Sequence, residues 1–403
     1  MNDIQLLIKN AEVVDHNQSL KCDVLIKDGI IQEVGQNLKM DCKIVDAKGL
    51  ILMPAFTDLH AHFRDPGYTY KEDIESGSQA AVKGGYTTVN LMANTNPVCS
   101  NDDTIAYVVK KAAEKGLIDV FQTCSVTRDF DGQDCSHLKK IKNKQVKIIS
   151  DDGFGVESYE VMEKALNIAK KKGLIVSSHA EYRAISETDA RESENLMTKR
   201  DLELCEKTGA RLHMAHVSTK EAIEMIEEAK TKGVPVTCEV TPHHISITDV
   251  IDYDVHPPLR KICDVKSLVK AIKNGTVDCI ATDHAPHSEE DKEKGARGIS
   301  SIEIAFGICN TFLVKPGQID LKRLSKLMSF NPSEILGVNK GEIKEGKVAD
   351  LVLIDQNEAY FVKSEDFVSK GKNTPIEGMK LYGTVKKVFK EGKLVYNSEG
   401  GKI

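Results

Sequence analysis

No apolar run in this chain of 403 residues approaches the roughly 20 residues that a membrane-spanning helix needs. The stretch from Met1 to Val14 breaks its apolar pattern with Asp3, Lys9 and Glu12 and has no small-residue cleavage site, which argues against a secretory signal. Cys-x-x-Cys pairs are missing too. The ten cysteines, Cys22, Cys99, Cys124, Cys205 and Cys279 among them, are scattered and are expected to be reduced core thiols rather than disulfides or metal ligands. Nor is there a basic stripe: 55 Lys and Arg are mixed with 61 Asp and Glu for a net charge of -6, which speaks against a nucleic-acid partner. Repeats and low-complexity segments are absent, and the lysine-rich run 139–144 reads as a solvated face. A soluble, cytoplasmic globular chain without membrane or nucleic-acid partners is therefore expected. Its length suits one barrel-sized domain plus a smaller one.

What is present falls into two textures. Residues 1–53 show short apolar runs (6–14, 24–26, 30–34) broken by turn signals such as Asp28-Gly29, and the same texture returns over 349–354 and 385–395. The two ends are expected to pair in one small β-sandwich domain, formed by 1–53 and 344–403. Between them, over 54–343, eight short β-like runs alternate with helical periodicity. The runs lie at 56–62, 87–94, 120–125, 146–151, 174–179, 211–216, 234–239 and 278–283. Helical stretches include 72–83, 104–115, 158–172, 220–232 and 265–273. Eight βα units predict an α/β fold, a closed (β/α)₈ TIM barrel, although periodicity alone leaves closure open.

The ends of these apolar strands carry polar residues: His60 and His62, Asp151 and Asp152, His179, His216, and Asp283. They mark the C-terminal rim, where barrel enzymes collect catalytic groups. His60 and His62 project from the same side of a strand because side chains repeat with period two. One His-x-His pair would be weak grounds for a metal site. Recurrence of His and Asp at the same rim, with no thiolate, favours zinc over manganese, cobalt or iron. His213 falls out of phase with His216 and reads as structural.

In order along the barrel, the segments 58–67 (Asp-Leu-His-Ala-His-Phe-Arg-Asp-Pro-Gly), 94–97 (Asn-Thr-Asn-Pro), 151–153 (Asp-Asp-Gly), 216–219 (His-Val-Ser-Thr), 239–244 (Glu-Val-Thr-Pro-His-His), 257–260 (Pro-Pro-Leu-Arg) and 281–287 (Ala-Thr-Asp-His-Ala-Pro-His) resemble the amidohydrolase superfamily, specifically the class I dihydroorotases. The segment 346–351, Gly-Lys-Val-Ala-Asp-Leu, is similar to the strand that rejoins the flanking β-domain in that family.

The resemblance implies a zinc-dependent cyclic amidohydrolase that interconverts N-carbamoyl-L-aspartate and L-dihydroorotate in de novo pyrimidine (UMP) biosynthesis. It implies that His60, His62 and Asp283 hold one metal, that His179 and His216 hold a second, and that Asp152, the carboxylate directly before the glycine, bridges them. One or two metals per chain stay open. Related hydantoinases and allantoinases bridge with a carboxylated lysine, whereas here Lys147 lies at the far end of the fourth strand. Zinc lowers the pKa of its water to about 7, so hydroxide can attack a ring amide at neutral pH. Asp283 is then expected to carry the proton to the leaving nitrogen. Arg64 suits the substrate carboxylate by charge and fork geometry, with Asn94 and His287 implied as partners and His62 also facing substrate. His256 replaces the usual Asn before Pro-Pro-Leu-Arg, and Arg297-Gly298 occupies the position of a backbone contact. A hydantoinase-like or allantoinase-like enzyme is the alternative reading, as is a non-catalytic subunit that stabilises a transcarbamoylase. A homodimer and an aspartate transcarbamoylase partner are expectations from the family only.

Overall fold

The computed structural model describes residues 5–400, so the outermost four N-terminal and three C-terminal residues of the expected end domain, Asp3 included, lie outside it. Five strands open the chain: β1 (Gln5–Val14), β2 (Ser19–Lys27), β3 (Ile30–Gly35), β4 (Lys43–Asp46) and β5 (Ile51–Pro54). Eight more follow: β6 (Phe56–Ala61), β7 (Tyr86–Leu91), β8 (Asp119–Gln122), β9 (Ile148–Ile149), β10 (Ile175–Ser178), β11 (Leu212–Met214), β12 (Val236–Val240) and β13 (Cys279–Ile280). The last three are β14 (Leu351–Phe361), β15 (Lys380–Lys390) and β16 (Lys393–Asn397).

The two ends of the chain share one sheet in the order β16-β15-β14-β5-β1-β2-β3, with β4 also paired to β1. Asp28 and Gly29, both at positive φ, make the tight turn that lets Lys27 pair with Ile30. The sheet curls back on itself through a bridge from Ile30 to Val348. Its inner face thus encloses Ile8, Val24, Ile26, Leu52, Leu351 and Leu353. Strand alternation along β14 turns Val352 and Ile354 the other way, into the core shared with the barrel. Val14, Ile51, Met53, Val388 and Val395 from the neighbouring strands join the same core, so the end domain is seated on the barrel by one face of its sheet.

The strands β6 to β13 are parallel and pair in sequence order in two arcs, β6-β7-β8 and β9 through β13. Two bridges join the arcs: Cys124 to Ile149 on one side, and Ala61 to His284 on the other. These close the ring that periodicity left open. Asp58, fully buried, accepts hydrogen bonds from the Thr282 and His60 backbone N–H groups at 3.0 and 3.2 Å, locking the last strand to the first. Nearly every residue of β6, β7 and β12 is buried, as expected for strands covered on both faces.

One long helix, Ala190–Thr208, lies outside the helical stretches read from the pattern. Its buried face mixes Met197, Leu202, Leu204 and Cys205 with polar residues: Glu194 takes Ser218 and Arg260, and Asp201 takes Ser178 and Arg200. A helix whose inward stripe carries carboxylates has little apolar periodicity to detect. Eight of the ten cysteines are buried and all are free, but Cys42 is half-buried and Cys263 exposed, so these two depart from the expected core setting.

Candidate active site

The C-terminal ends of the barrel strands bring together the histidines and aspartates singled out in the sequence. His60 and His62 leave β6 on one side, with ring centroids 5.2 Å apart. Each is anchored through Nδ1: His60 at 2.7 Å from Glu239 Oε1, and His62 at 2.8 Å from Asn94 Oδ1. Both Nε2 atoms are thereby aimed into the rim. Across from them, His179 Nδ1 and His216 Nε2 face each other at 2.7 Å.

Asp152 lies between these pairs. Its Oδ1 is 3.2 Å from His60 Nε2, 3.4 Å from His179 Nδ1 and 3.5 Å from His216 Nε2, and its Oδ2 is 3.5 Å from His62 Nε2. Asp151 points elsewhere: it accepts the backbone N–H of Val126 at 2.7 Å and also takes Thr127, closing the turn after β8. The geometry thus separates the two adjacent aspartates into a rim carboxylate and a buried turn-former. Asp283 Oδ1 stands 3.1 Å from His62 Nε2 and 3.5 Å from His60 Nε2. His216 and Asp283 both hold positive φ, 32° and 46°, a strained backbone for non-glycine residues of the kind that collects at functional sites.

The donor atoms of His60, His62 and Asp283, and those of His60, Asp152 and His216, each lie within 4.8 Å of one another. His60 Nε2 and Asp152 Oδ1 are buried without a well-formed hydrogen bond. Unsatisfied buried atoms of this kind are costly. Imidazoles and carboxylates converging with no thiolate are the donor set of a divalent metal, so the residues fit one. Burial works against charge on His60, yet Asp152, Asp283 and Glu239 hold its pKa well above the ordinary 6.5. Burial likewise opposes ionisation of Asp152 and Asp283, but His60 and the neighbouring imidazoles hold both carboxyls below the usual range. The carboxylates are ready to coordinate.

The rim opens into a cavity of about 680 Å³. Every expected site residue except His60, which sits beneath, lines it. Arg64 is the one cation on the inner wall whose Nε is buried without a partner among the described residues. His287 is held neutral: burial first, then Arg64 and Lys71, push its pKa down to about 3. The structure places His256 3.2 Å from Glu181 Oε1, and one guanidinium nitrogen of Arg297 between both carboxylate oxygens of Glu187 at the mouth, 2.9 and 3.0 Å.

Two residues at this site drew no role from the sequence. Glu181 joins His179 at 3.2 Å to His256, from the turn that follows β10, where strand alternation gives no signal. Glu239 binds His60, His213 Nε2 at 3.0 Å and the His216 backbone N–H at 3.2 Å. Its signal was a carboxylate closing a strand, here the seventh. Glu239 stays ionised in spite of burial, because His60 and His213 pull its pKa down to about 2.

Residues 51–395 match the amidohydrolase family. The dihydroorotase of Clostridium botulinum (strain Eklund 17B / Type B) is 52% identical over 396 residues, spanning 98% of this chain and 100% of the relative. That of Aquifex aeolicus (strain VF5) is 38% identical, spanning 98% and 99%. Among solved structures, the dihydropyrimidinase of Brevibacillus agri NCHU1002 superposes with a TM-score of 0.89 at 26% identity, covering 98% of this chain and 95% of its own. The L-hydantoinase of Arthrobacter aurescens gives 0.90 at 24% identity, covering 99% and 98%, a likeness of fold. No helix among the described residues is long and apolar enough to cross a membrane.

Proposed function

The chain belongs to the amidohydrolase family and, within it, to the dihydroorotases, and from that premise we propose that its rim cavity interconverts L-dihydroorotate and N-carbamoyl-L-aspartate. The observation that carries this reading is Arg64: an unpartnered buried guanidinium Nε on the wall of the cavity that also holds the His and Asp cluster. Leaving such a group buried and unpaired is costly unless a ligand anion completes it. Dihydroorotate has that carboxylate; a simple hydantoin ring does not.

We assign His60, His62 and Asp283 to one metal, His179 and His216 to a second, and Asp152 to the bridge, with zinc as the metal. When bound, the metal supplies Lewis acidity toward the ring carbonyl and an activated water. Ring opening breaks the bond between that carbonyl carbon and the ring nitrogen, and the nitrogen must leave with a proton. Asp283, with its Oδ1 between His60 and His62 on the cavity wall, is placed to take the water's proton and pass it on. In the reverse direction it removes the carbamoyl proton as the ring closes. Arg64 fixes the α-carboxylate, neutral His287 adds an uncharged imidazole, and Asn94 has its amide N–H₂ left for substrate because its oxygen holds His62. His256, Arg297 and Gly298 complete the outer wall.

Purified, metal-loaded protein given L-dihydroorotate, hydantoin and allantoin separately tests the reading: dihydroorotate should be opened fastest. Clear turnover of either other ring beside none of dihydroorotate would refute it. A cytoplasmic site of action in pyrimidine biosynthesis follows from this substrate. A homodimer, or an aspartate transcarbamoylase partner, rests on family resemblance alone and is tested by sedimentation of the chain with and without that partner.

A further inference from the structure

The loop that carries His287, Arg297 and Gly298 leaves the rim at His284 and returns at Ile299. Its neck is narrow. His284 pairs with Ile299 in a parallel bridge, and Ala285 N–H donates to the Ile299 carbonyl at 2.8 Å. Gly298, at φ 148°, passes so close to Ala285 that a Cβ there would fall 2.7 Å from the Ala285 Cβ and carbonyl oxygen.

Asn373 lies far from this loop in sequence, in the segment between β14 and β15, yet it binds both sides of the neck. Its Oδ1 accepts the His287 backbone N–H at 2.9 Å and the Ser300 hydroxyl at 2.8 Å. Its Nδ2 donates to the carbonyls of Ala285 at 3.1 Å and Gly298 at 2.9 Å. Its own carbonyl accepts the Ser300 N–H at 2.8 Å. Both lone pairs and both protons of one amide are used, two on the outgoing limb and two on the returning limb.

The segment that presents Asn373 is itself held to the barrel. Glu303 accepts the backbone N–H groups of Val368 and Ser369 at 3.0 and 2.9 Å. Buried Glu72 takes the Ser369 hydroxyl and the Lys370 N–H, and Lys370 Nζ donates to the Thr69 carbonyl at 2.7 Å. The clamp therefore has a fixed base.

We propose that Asn373 is a positioning residue for substrate binding: by tying the two limbs of the loop together it sets where His287 and the Arg297-Gly298 backbone stand in the cavity. Residues assigned to substrate are thus placed by a side chain from the end domain, which touches no substrate itself. The inference rests on the substrate-binding reading above, and its test separates the two.

Asn373→Ala should raise KM for dihydroorotate about tenfold or more, from loss of four hydrogen bonds, with kcat changed less than about threefold because the metal rim is untouched. In the native, ligand-free protein, trypsin should cut after Lys292, Lys294 or Arg297 several times faster in the variant, at unchanged circular dichroism. Asn310→Ala is the control. That amide also bridges barrel and end domain, donating to the Gln356 and Tyr382 carbonyls at 3.0 and 2.8 Å, but it lies away from the loop.

Unchanged cleavage and unchanged KM in Asn373→Ala would overturn the proposal, as would an equal KM rise in Asn310→Ala. If Asn373→Ala fails to fold, Asn373→Asp keeps the shape and the Oδ1 contacts while losing both donors. Its second carboxylate oxygen would face the Ala285 and Gly298 carbonyls with no proton between, so cleavage and KM should rise at least as far as expected for Asn373→Ala, and wild-type values would overturn the proposal. If the wild-type protein does not open dihydroorotate, the proposed function fails, while the cleavage comparison still decides the clamp.

Discussion

Replacing Glu239 by Gln should weaken metal retention without unfolding the chain. The carboxylate is fully buried and accepts three hydrogen bonds, from His60 at 2.7 Å, His213 at 3.0 Å and the His216 backbone at 3.2 Å. Two of these three partners are metal-assigned residues, so Glu239 fixes the orientation of rings on both sides of the rim. Glutamine keeps the volume but loses the charge and one acceptor. Its amide N–H₂ must then face either His60 or His213, and His213 can meet it by a tautomer change because its other nitrogen sits 2.8 Å from the Thr237 hydroxyl. His60 therefore retains a neutral acceptor in place of a charged one. Loss of such an orienting partner typically costs 10- to 100-fold in metal affinity, about 1.4 to 2.7 kcal/mol. Equilibration of wild type and variant against a chelator series, with bound metal counted by emission spectrometry, measures this directly. A chelator midpoint within twofold of wild type, in a variant of normal thermal stability, would refute the reasoning.

Arg64→Met should raise KM for dihydroorotate about 10- to 100-fold, the worth of a charge-assisted hydrogen bond; unchanged KM and kcat would move the carboxylate site elsewhere. Asp283→Ala should abolish turnover with the circular dichroism spectrum retained, and residual activity above about one part in a hundred would remove its proton-carrying role. Stripping the protein with a chelator should abolish turnover, and zinc should restore it better than manganese; full recovery with manganese alone would reassign the metal. His287, with its pKa pushed from 6.5 down to about 3, should show a flat imidazole resonance between pH 5 and 8 by NMR. Since the unfolded chain takes up that proton first, its contribution to stability is complete above about pH 6.5 and is lost as pH falls toward 3; an observed midpoint above pH 5 would contradict this.

That the rim gathers these histidines and aspartates was legible in the sequence because the end of a barrel strand, and the first residues after it, stand at a fixed place. A polar residue at or just past the end of an apolar run is conspicuous: His60 stands near the end of β6, His62 and His179 directly follow β6 and β10, and His216 and Asp283 lie two and three residues past β11 and β13. The choice of Asp152 over Asp151 came from a family pattern, and only the hydrogen bonds of Asp151 to Val126 and Thr127 give it a physical reason. Closure of the ring was not legible, since it depends on a bridge between the first and last barrel strands, Ala61 to His284, whose residues are far apart in sequence. The residues that hold others in place were hidden for a related reason. Glu239 acts on His60 across 179 positions, and Asn373 acts on His287 across 86. Periodicity reports which side of its own strand or helix a residue occupies, and such partners are defined by what another element brings to them. Glu181 was hidden although it lies only two positions after His179, because β10 ends at Ser178 and strand alternation does not govern the turn that follows.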